Sequence, residues 1–242
     1  MNKLETLLKW INESNNIVFF GGAGVSTASG IKDFRSKDGL YNMKYKYPPE
    51  QILSHTFFIN NTDEFYEFYL DKLNCLDKEP NICHKYLTKL ESIGKLKAII
   101  TQNIDGLHEK AKSKNIYNLH GTIYENSCMK CHKPYPATDI FNKKIFTCPC
   151  GGLIKPNVVL YEEPLDEVTI TNTINAISES DLLLVTGTSL TVYPASSFIR
   201  YFKGKHLVII NNSTTPLDNL ADLIINDDIK KVFNYLNKNL KE

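Results

Sequence analysis

Six short apolar runs separated by amphipathic stretches constrain this chain more than any other feature in it. The runs are Ile17 to Phe20, Ala98 to Thr101, Ile116 to Leu119, Leu182 to Thr186, Leu207 to Ile210 and Leu223 to Ile225. Alternation of this kind argues an α/β fold with a doubly wound parallel sheet, covered by helices on both faces. The stretch "NICHKYLTKLESIG" predicts one such helix, with His84, Leu87 and Leu90 on one face and Gly94 closing it in the left-handed conformation. Asp166 to Glu179 reads as another, with Ile170, Ile174 and Ile177 as its inner stripe, and Asp228 to Leu240 as a third. Two regions break the alternation. Residues 36–76 are aromatic-rich and mostly helical without a convincing strand, and residues 123–158 carry paired cysteines. Both read as insertions forming a smaller module beside a large part made of residues 1–35, 77–122 and 159–242. A chain of 242 residues is long enough for one large domain carrying such an insertion.

Composition narrows the partners. Lys plus Arg number 28 against 27 for Asp plus Glu, so no overall field recruits nucleic acid or a membrane surface. The N-terminal "MNKLETLLKWINES" places Leu4, Leu7, Leu8 and Ile11 at helical spacing, but Glu5, Lys9 and Glu13 exclude a signal peptide or a span. No other stretch approaches the roughly 20 apolar residues of a transmembrane helix, and a cytoplasmic protein is expected. Of six cysteines, four fall in two close pairs, Cys128 with Cys131 and Cys148 with Cys150. In a reducing compartment that pattern favours a metal over disulfides. Cys75 and Cys83 read as packing residues.

The first apolar run leads into "GGAGVSTASGIKDFRS", residues 21–36. Gly22 and Gly24 suit the tight turn and close backbone approach of a dinucleotide loop, and a following helix start offers free N–H groups to an anion. The third fingerprint position is Thr27 rather than glycine. A hydride-transfer enzyme places an acid about twenty residues on, at the end of a second strand, to hold the adenine ribose. Here that region is "LYNMKYKYPP", with neither acid nor strand, which argues against an ordinary dehydrogenase.

Other segments occupy equivalent places. "TQNIDGLHEKA" at 101–111, "LHG" at 119–121, "GTSL" at 187–190 and "INNS" at 210–213 each follow a strand, where a parallel sheet presents its ligand-binding loops. Taken singly, Asn103 or Asp105 would read as a helix cap and His120 as a satisfied core imidazole. Together they define one crevice.

This set resembles the sirtuins, the NAD-dependent protein deacylases, over residues 4–236. The matching segments are "GAGVSTASGIKDFRS", "TQNIDGLH", "LHG", the two cysteine pairs, "GLIKPNVVLYEE" and "GTSLTVYPA". The resemblance implies a Rossmann-like NAD-binding domain with a small module of helices and a zinc ribbon. It also implies that NAD is consumed rather than reduced, its nicotinamide–ribose bond breaking as an acyl group leaves lysine for ADP-ribose. By position, Ala23 and Thr27 would line the dinucleotide, Arg35 would pair with phosphate, and Phe34 would cover the ribose face that nicotinamide vacates, excluding water. Asp105, with the backbone of Ile104, would hold the nicotinamide carboxamide. Gln102 and Asn103 would contact its ribose and an ordered water. His120 is the expected general base, acting on the ribose hydroxyls. Thr188, Ser189, Asn211 and Asp228 match positions that contact the phosphates and the adenosine ribose.

Cys128, Cys131, Cys148 and Cys150 are the implied ligands of one structural zinc, which leaves no open position for chemistry. The second pair, "CPCGG", has one residue between its cysteines where the family commonly has two. Lys32 stands where the family commonly has proline, which would loosen the cofactor loop. "LYEE" at 160–163 replaces Phe-Gly-Glu at the mouth of the peptide cleft. The acylated-lysine partner would add there as an extended strand between the segment holding Val158 and Tyr161 and the one holding Val192, mainly through backbone bonds. Members that remove acidic acyl groups carry a Tyr and an Arg three residues apart; the positions here are Tyr69 and Lys72. An ammonium lacks the planar fork of guanidinium, so acetyl and other uncharged acyl groups are expected over succinyl. An ADP-ribosyltransferase or NAD hydrolase, and a silent NAD-binding module, are the alternatives.

Overall fold

The computed structural model describes residues 1–34, 39–42 and 45–240. The chain runs from α1 (Lys3–Glu13) into β1 (Ile17–Gly21), then through α2 (Pro49–Ile52), α3 (His55–Asn60) and α4 (Thr62–Lys72) to α5 (Ile82–Ser92). There follow β2 (Leu96–Thr101), α6 (Leu107–Lys110), β3 (Ile116–Asn118), β4 (Gly121–Cys128), β5 (Pro134–Pro136), α7 (Ala137–Phe141) and β6 (Ile154–Val158). The last third alternates as α8 (Glu167–Glu179), β7 (Leu182–Thr186), β8 (His206–Ile210), β9 (Leu223–Ile225) and α9 (Ile229–Asn239).

Six strands form one sheet in the order β3-β2-β1-β7-β8-β9, and every pair in it is parallel. The strand order reverses between β1 and β7, which makes their carboxyl ends the topological switch point. β1 is central and wholly buried, and its side chains alternate between two cores. Ile17 and Phe19 pack with Leu7, Ile11, Tyr86 and Phe233 from α1, α5 and α9. Val18 and Phe20 face Ile177 of α8 and Phe198 on the other side. A capping box joins Asn2 and Glu5 at the start of α1, and Lys95 Nζ donates to the carbonyls of Ile11, Asn12 and Ser14 at its end. Gly94 takes the left-handed conformation at the end of α5, with φ +77°.

Three details refine the sequence reading. The helix after the glycine loop is 3-10 rather than α, Ala23–Ser29, and Gly30 ends it in the left-handed conformation. Asp166 and Asp228 lie outside their helices as N-caps, accepting from Thr169 N and Lys230 N. Ile170, Ile174 and Ile177 form the inner stripe of α8 against one core, with Ile177 fully buried, Ile170 and Ile174 partly covered, and Thr173 buried beside them.

A second, antiparallel sheet, β5-β4-β6, packs with α2, α3, α4 and α7 around an aromatic core. Phe58, Phe65, Tyr66 and Tyr69 meet edge to face or stacked, and Tyr69 stacks on Phe141 at 5.2 Å. Cys75 is buried in this core and Cys83 in that of the large sheet. Among the described residues no helix is long and apolar enough to cross a membrane.

Candidate active site

The loop after β1 and the loop after β7 are held backbone to backbone. Gly22 N donates to Thr186 O at 3.1 Å and Gly24 N to Gly187 O at 2.8 Å. A Cβ on Gly24 would lie 2.8 Å from Gly187 Cα, and one on Gly187 2.5 Å from Val25 N. The glycines are therefore needed first for the contact of two loops, and so shape the floor of the crevice at the switch point. Thr27 caps its own turn through Gly24 O, beside the half-buried Ala23.

The β2 loop meets this floor. Ser26 Oγ donates to Asp105 Oδ2 at 2.6 Å, Asn103 Nδ2 donates to Ser26 Oγ at 3.1 Å, and Leu107 N donates to Asp105 Oδ1 at 3.0 Å. Asp105 is buried, and burial raises its carboxyl above the ordinary range, opposed by the bonds from Ser26 and Leu107. Ile104 O accepts from Ile123 N at 3.1 Å, which fixes the loop between Asn103 and Asp105 to β4. Ser26 is a member of this cluster that the sequence reading missed. Its signal was present in a small polar residue between Val25 and Thr27, but only the fold brings it to Asp105.

His120 follows β3. Its Nδ1 lies 2.9 Å from Gln102 O, and since a carbonyl can only accept, Nδ1 carries the proton and Nε2 keeps its lone pair. Burial holds the imidazole below its ordinary value, opposed by this bond, so the ring is neutral at pH 7. Gly121, at φ +74°, lets the next strand start against Asn157 O, where a Cβ would lie 2.0 Å away. Val159 N donates to His120 O at 2.9 Å. His120 is thereby tied directly to the strand segment expected to receive peptide.

The remaining strand ends complete the wall. Gln102 Nε2 and Leu190 N both donate to Thr188 Oγ1, at 3.0 and 3.2 Å, which fills both lone pairs of that hydroxyl and leaves its O–H as a donor. Asn211 Nδ2 donates to Thr188 O at 3.1 Å, and Ser189 Oγ pairs with Thr191 Oγ1 at 2.7 Å. Phe34 packs edge to face on Tyr41 at 5.4 Å. Arg35 lies outside the described residues.

Asp228 stands apart from this cluster in its bonding, its carboxylate capping α9. Tyr69 is fully buried in the aromatic core of the small module, and Lys72 Nζ pairs with Asp71 at 2.6 Å. Val158 is buried with its carbonyl accepting from Lys155 Nζ at 2.8 Å, whereas Tyr161 is 38% exposed and Val192 half-buried.

The four paired cysteines converge, their sulfurs all within 4.8 Å of one another. Cys128 and Cys150 Sγ are 3.5 Å apart and Cys131 and Cys148 Sγ 3.6 Å, too long for disulfides and close to the roughly 3.8 Å edge of a tetrahedron with Zn–S of about 2.3 Å. The N–H groups of Cys131 and Lys130 point at Cys128 Sγ and hold that thiol below its ordinary value. The shortened second pair still closes the set because Gly151, at φ +79°, reverses the chain, and Gly152 leaves room where a Cβ would lie 2.7 Å from Cys128 Sγ.

A crevice of strand-end loops at the switch point of a doubly wound sheet, with a buried acid and a neutral imidazole at one end, and four converging cysteines in the second module together fit a dinucleotide-binding protein with a structural metal site. The model of the Sir2 family matches residues 22–194, and the chain belongs to that family, the sirtuins. It is 55% identical to the NAD-dependent protein deacetylase of Clostridium acetobutylicum, over 96% of this chain and 97% of that one. It is 54% identical to the protein of the same name from Clostridium perfringens, over 96% of each. Among solved structures, Sir2 with deacetylated p53 peptide and 3'-O-acetyl ADP-ribose superposes with a TM-score of 0.90 at 36% identity, covering 98% of both chains. Sir2 with p53 peptide and NAD+ gives 0.86 at 35% identity, again over 98% of both.

Proposed function

We propose that this protein is an NAD-dependent protein-lysine deacylase, acting by preference on acetyl-lysine and releasing nicotinamide, free lysine and the acyl ester of ADP-ribose. One observation carries the reading: a buried carboxylate, Asp105, and an imidazole of fixed tautomer, His120, stand on adjacent strand-end loops in a chain of the Sir2 family. The names and complexes of the relatives agree with it.

NAD, bound as co-substrate, supplies the ribosyl carbon that accepts the acyl oxygen once nicotinamide leaves. In this chain Asp105 and the backbone of Ile104 hold the carboxamide, while Gln102 and Asn103 face the nicotinamide ribose and its water. His120 Nε2 removes the proton from a ribose hydroxyl, at an imidazole that burial keeps neutral. Phe34 shields the reacting face from water. The loop residues Ala23 and Thr27, with the donor hydroxyl of Thr188 and with Ser189 and Asn211, receive the phosphates and adenosine ribose, and Arg35 and Asp228 are assigned there by position. Cys128, Cys131, Cys148 and Cys150 would hold one zinc ion, whose contribution is the stability of the small module. Reduced thiolates suit the cytoplasm. The acylated peptide enters in extended form between Val158–Tyr161 and Val192.

Acetyl is preferred to succinyl because Tyr69 is enclosed by aromatic rings and the Lys72 ammonium is already engaged by Asp71, whose bond raises its pKa. Mass analysis of products from acetyl and succinyl versions of one peptide tests both claims. Acetyl-ADP-ribose with the higher kcat/KM is expected. Free ADP-ribose or a modified protein without acyl product would indicate a hydrolase or ADP-ribosyltransferase. A succinyl preference that vanishes in Lys72→Ala would reverse the acyl assignment.

A further inference from the structure

The segment after β6 does more than line a cleft. Tyr161 N donates to Leu53 O at 2.9 Å, and Tyr161 O accepts from His55 N at 3.0 Å. Glu162 Oε2 accepts from Thr56 N at 2.8 Å, and Ser54 Oγ accepts from Phe57 N at 3.1 Å. The first three N–H groups of α3, which no helix can satisfy internally, thus find acceptors, two of them on this segment. Glu162 sits at φ +76°, a left-handed conformation unfavourable to a side chain, and its carboxylate is anchored by the helix end. The backbone around Tyr161 is consequently fixed to the small module.

From that anchored position the Tyr161 hydroxyl reaches the hydroxyl of Tyr41 at 2.6 Å. Tyr41 lies against Phe34, edge to face at 5.4 Å, and its N–H donates to Phe34 O at 2.9 Å. Leu40 N donates to Asp33 O at 2.9 Å beside it. A continuous path of two hydrogen bonds and one ring contact therefore runs from the peptide-cleft strand to Phe34.

We propose that Tyr161 is a positioning residue whose hydroxyl, through Tyr41, couples occupation of the peptide cleft to the placement of Phe34 over the nicotinamide ribose. The inference rests on the assignment of the crevice to NAD and acylated lysine. A peptide that adds as a strand beside Tyr161 covers its 38% exposed side chain and restricts the phenol, which then holds Tyr41 in one place, and Tyr41 backs the Phe34 ring. By linkage, a ligand that fills the ribose site strengthens peptide binding by the same factor. Part of that factor is carried by one neutral hydrogen bond, and its removal lowers the coupling by about fivefold.

The test uses the full chain as wild type, Tyr161→Phe, Tyr41→Phe and the double variant. The Kd of an acetyl-lysine peptide is measured by titration with and without saturating ADP-ribose, which cannot react. ADP-ribose is expected to tighten the peptide on the wild type, each single variant to lose about fivefold of that enhancement, and the double variant to lose no more than either single one. A merely structural role would weaken the peptide equally with and without ADP-ribose, and that result overturns the proposal. So does an unaltered enhancement, or losses that multiply in the double variant. A wild type that binds ADP-ribose and peptide without enhancement overturns the coupling alone, whereas one that binds neither overturns the functional assignment as well.

Discussion

Ser26→Ala removes one hydroxyl and tests the buried end of the crevice. In the wild type that hydroxyl donates to Asp105 Oδ2 at 2.6 Å and accepts from Asn103 Nδ2 at 3.1 Å. A hydrogen bond to an ionised group contributes about 1.5–3 kcal/mol, against about 1 kcal/mol for a neutral one. Asp105 is buried and keeps the N–H of Leu107 as a donor in the variant, so the loss falls in the upper class, about 2 kcal/mol where the carboxylate is ionised. Urea unfolding measures it, since a change of midpoint at constant slope reports stability. The decisive comparison is the same substitution in an Asp105→Asn background, where the bond is no longer charge-assisted and the loss should fall to about 1 kcal/mol or less. The pH dependence has a definite sign. Burial raises the folded pKa of Asp105 and Ser26 lowers it, so the effect of Ser26→Ala is full where the carboxylate is ionised and shrinks as pH falls through the folded pKa. NAD affinity should fall with stability, because Asp105, the acceptor proposed for the nicotinamide carboxamide, loses the donor that fixes it. Equal losses in the two backgrounds, or a loss independent of pH, would refute the charge-assisted role of Ser26.

Other perturbations separate the remaining parts. Cys131→Ala should abolish zinc in elemental analysis and loosen the small module, since structural zinc binding is folding free energy; a metal-free wild type that is stably folded would sink the site. His120→Ala should lose acyl transfer yet retain exchange of labelled nicotinamide into NAD in the presence of acetyl-peptide, and complete loss of exchange in a folded, NAD-binding variant would place the base earlier. Because burial depresses the His120 pKa, the acid limb of kcat/KM should lie below about 6.5, and a limb above 7 contradicts the neutral-base reading. Glu162→Ala keeps the left-handed residue and loses the cap to Thr56, so about 1 kcal/mol of stability should go; Glu162→Gly relieves the backbone and should be nearly neutral, and equal effects would contradict the strain. His84 is buried with its pKa lowered to about 4, so stability is complete above about 6.5 and declines as pH falls from there towards 4; His84→Gln should flatten that stretch of the pH–stability curve.

What could be read from the sequence was what neighbours along the chain decide. Ile17 to Phe20 is continuously apolar because a central parallel strand is buried on both faces, and the pattern alone announces it. Asp166 and Asp228 are short acids ahead of apolar periodicity, so their helix starts are legible even though the caps stand just outside. The cysteine pairs are legible for the same reason: each knuckle is a local turn, and the left-handed Gly151 lets even the shortened pair close. Tertiary structure decided what depends on contacts between distant segments. Ser26 and Asp105 are 79 residues apart, and nothing near Ser26 in the chain marks it as a donor to a buried carboxylate until the strand order sets β1 beside β2. Glu162 takes a positive φ that its own side chain does not favour, and the partner that holds its carboxylate, Thr56, lies 106 residues earlier. The Tyr41–Tyr161 bond likewise exists only because the small module brings the two phenols together across 120 residues. Sequence periodicity reports which face of an element is buried, but it carries no record of which element will cover that face, and the working geometry of this crevice is made of such coverings.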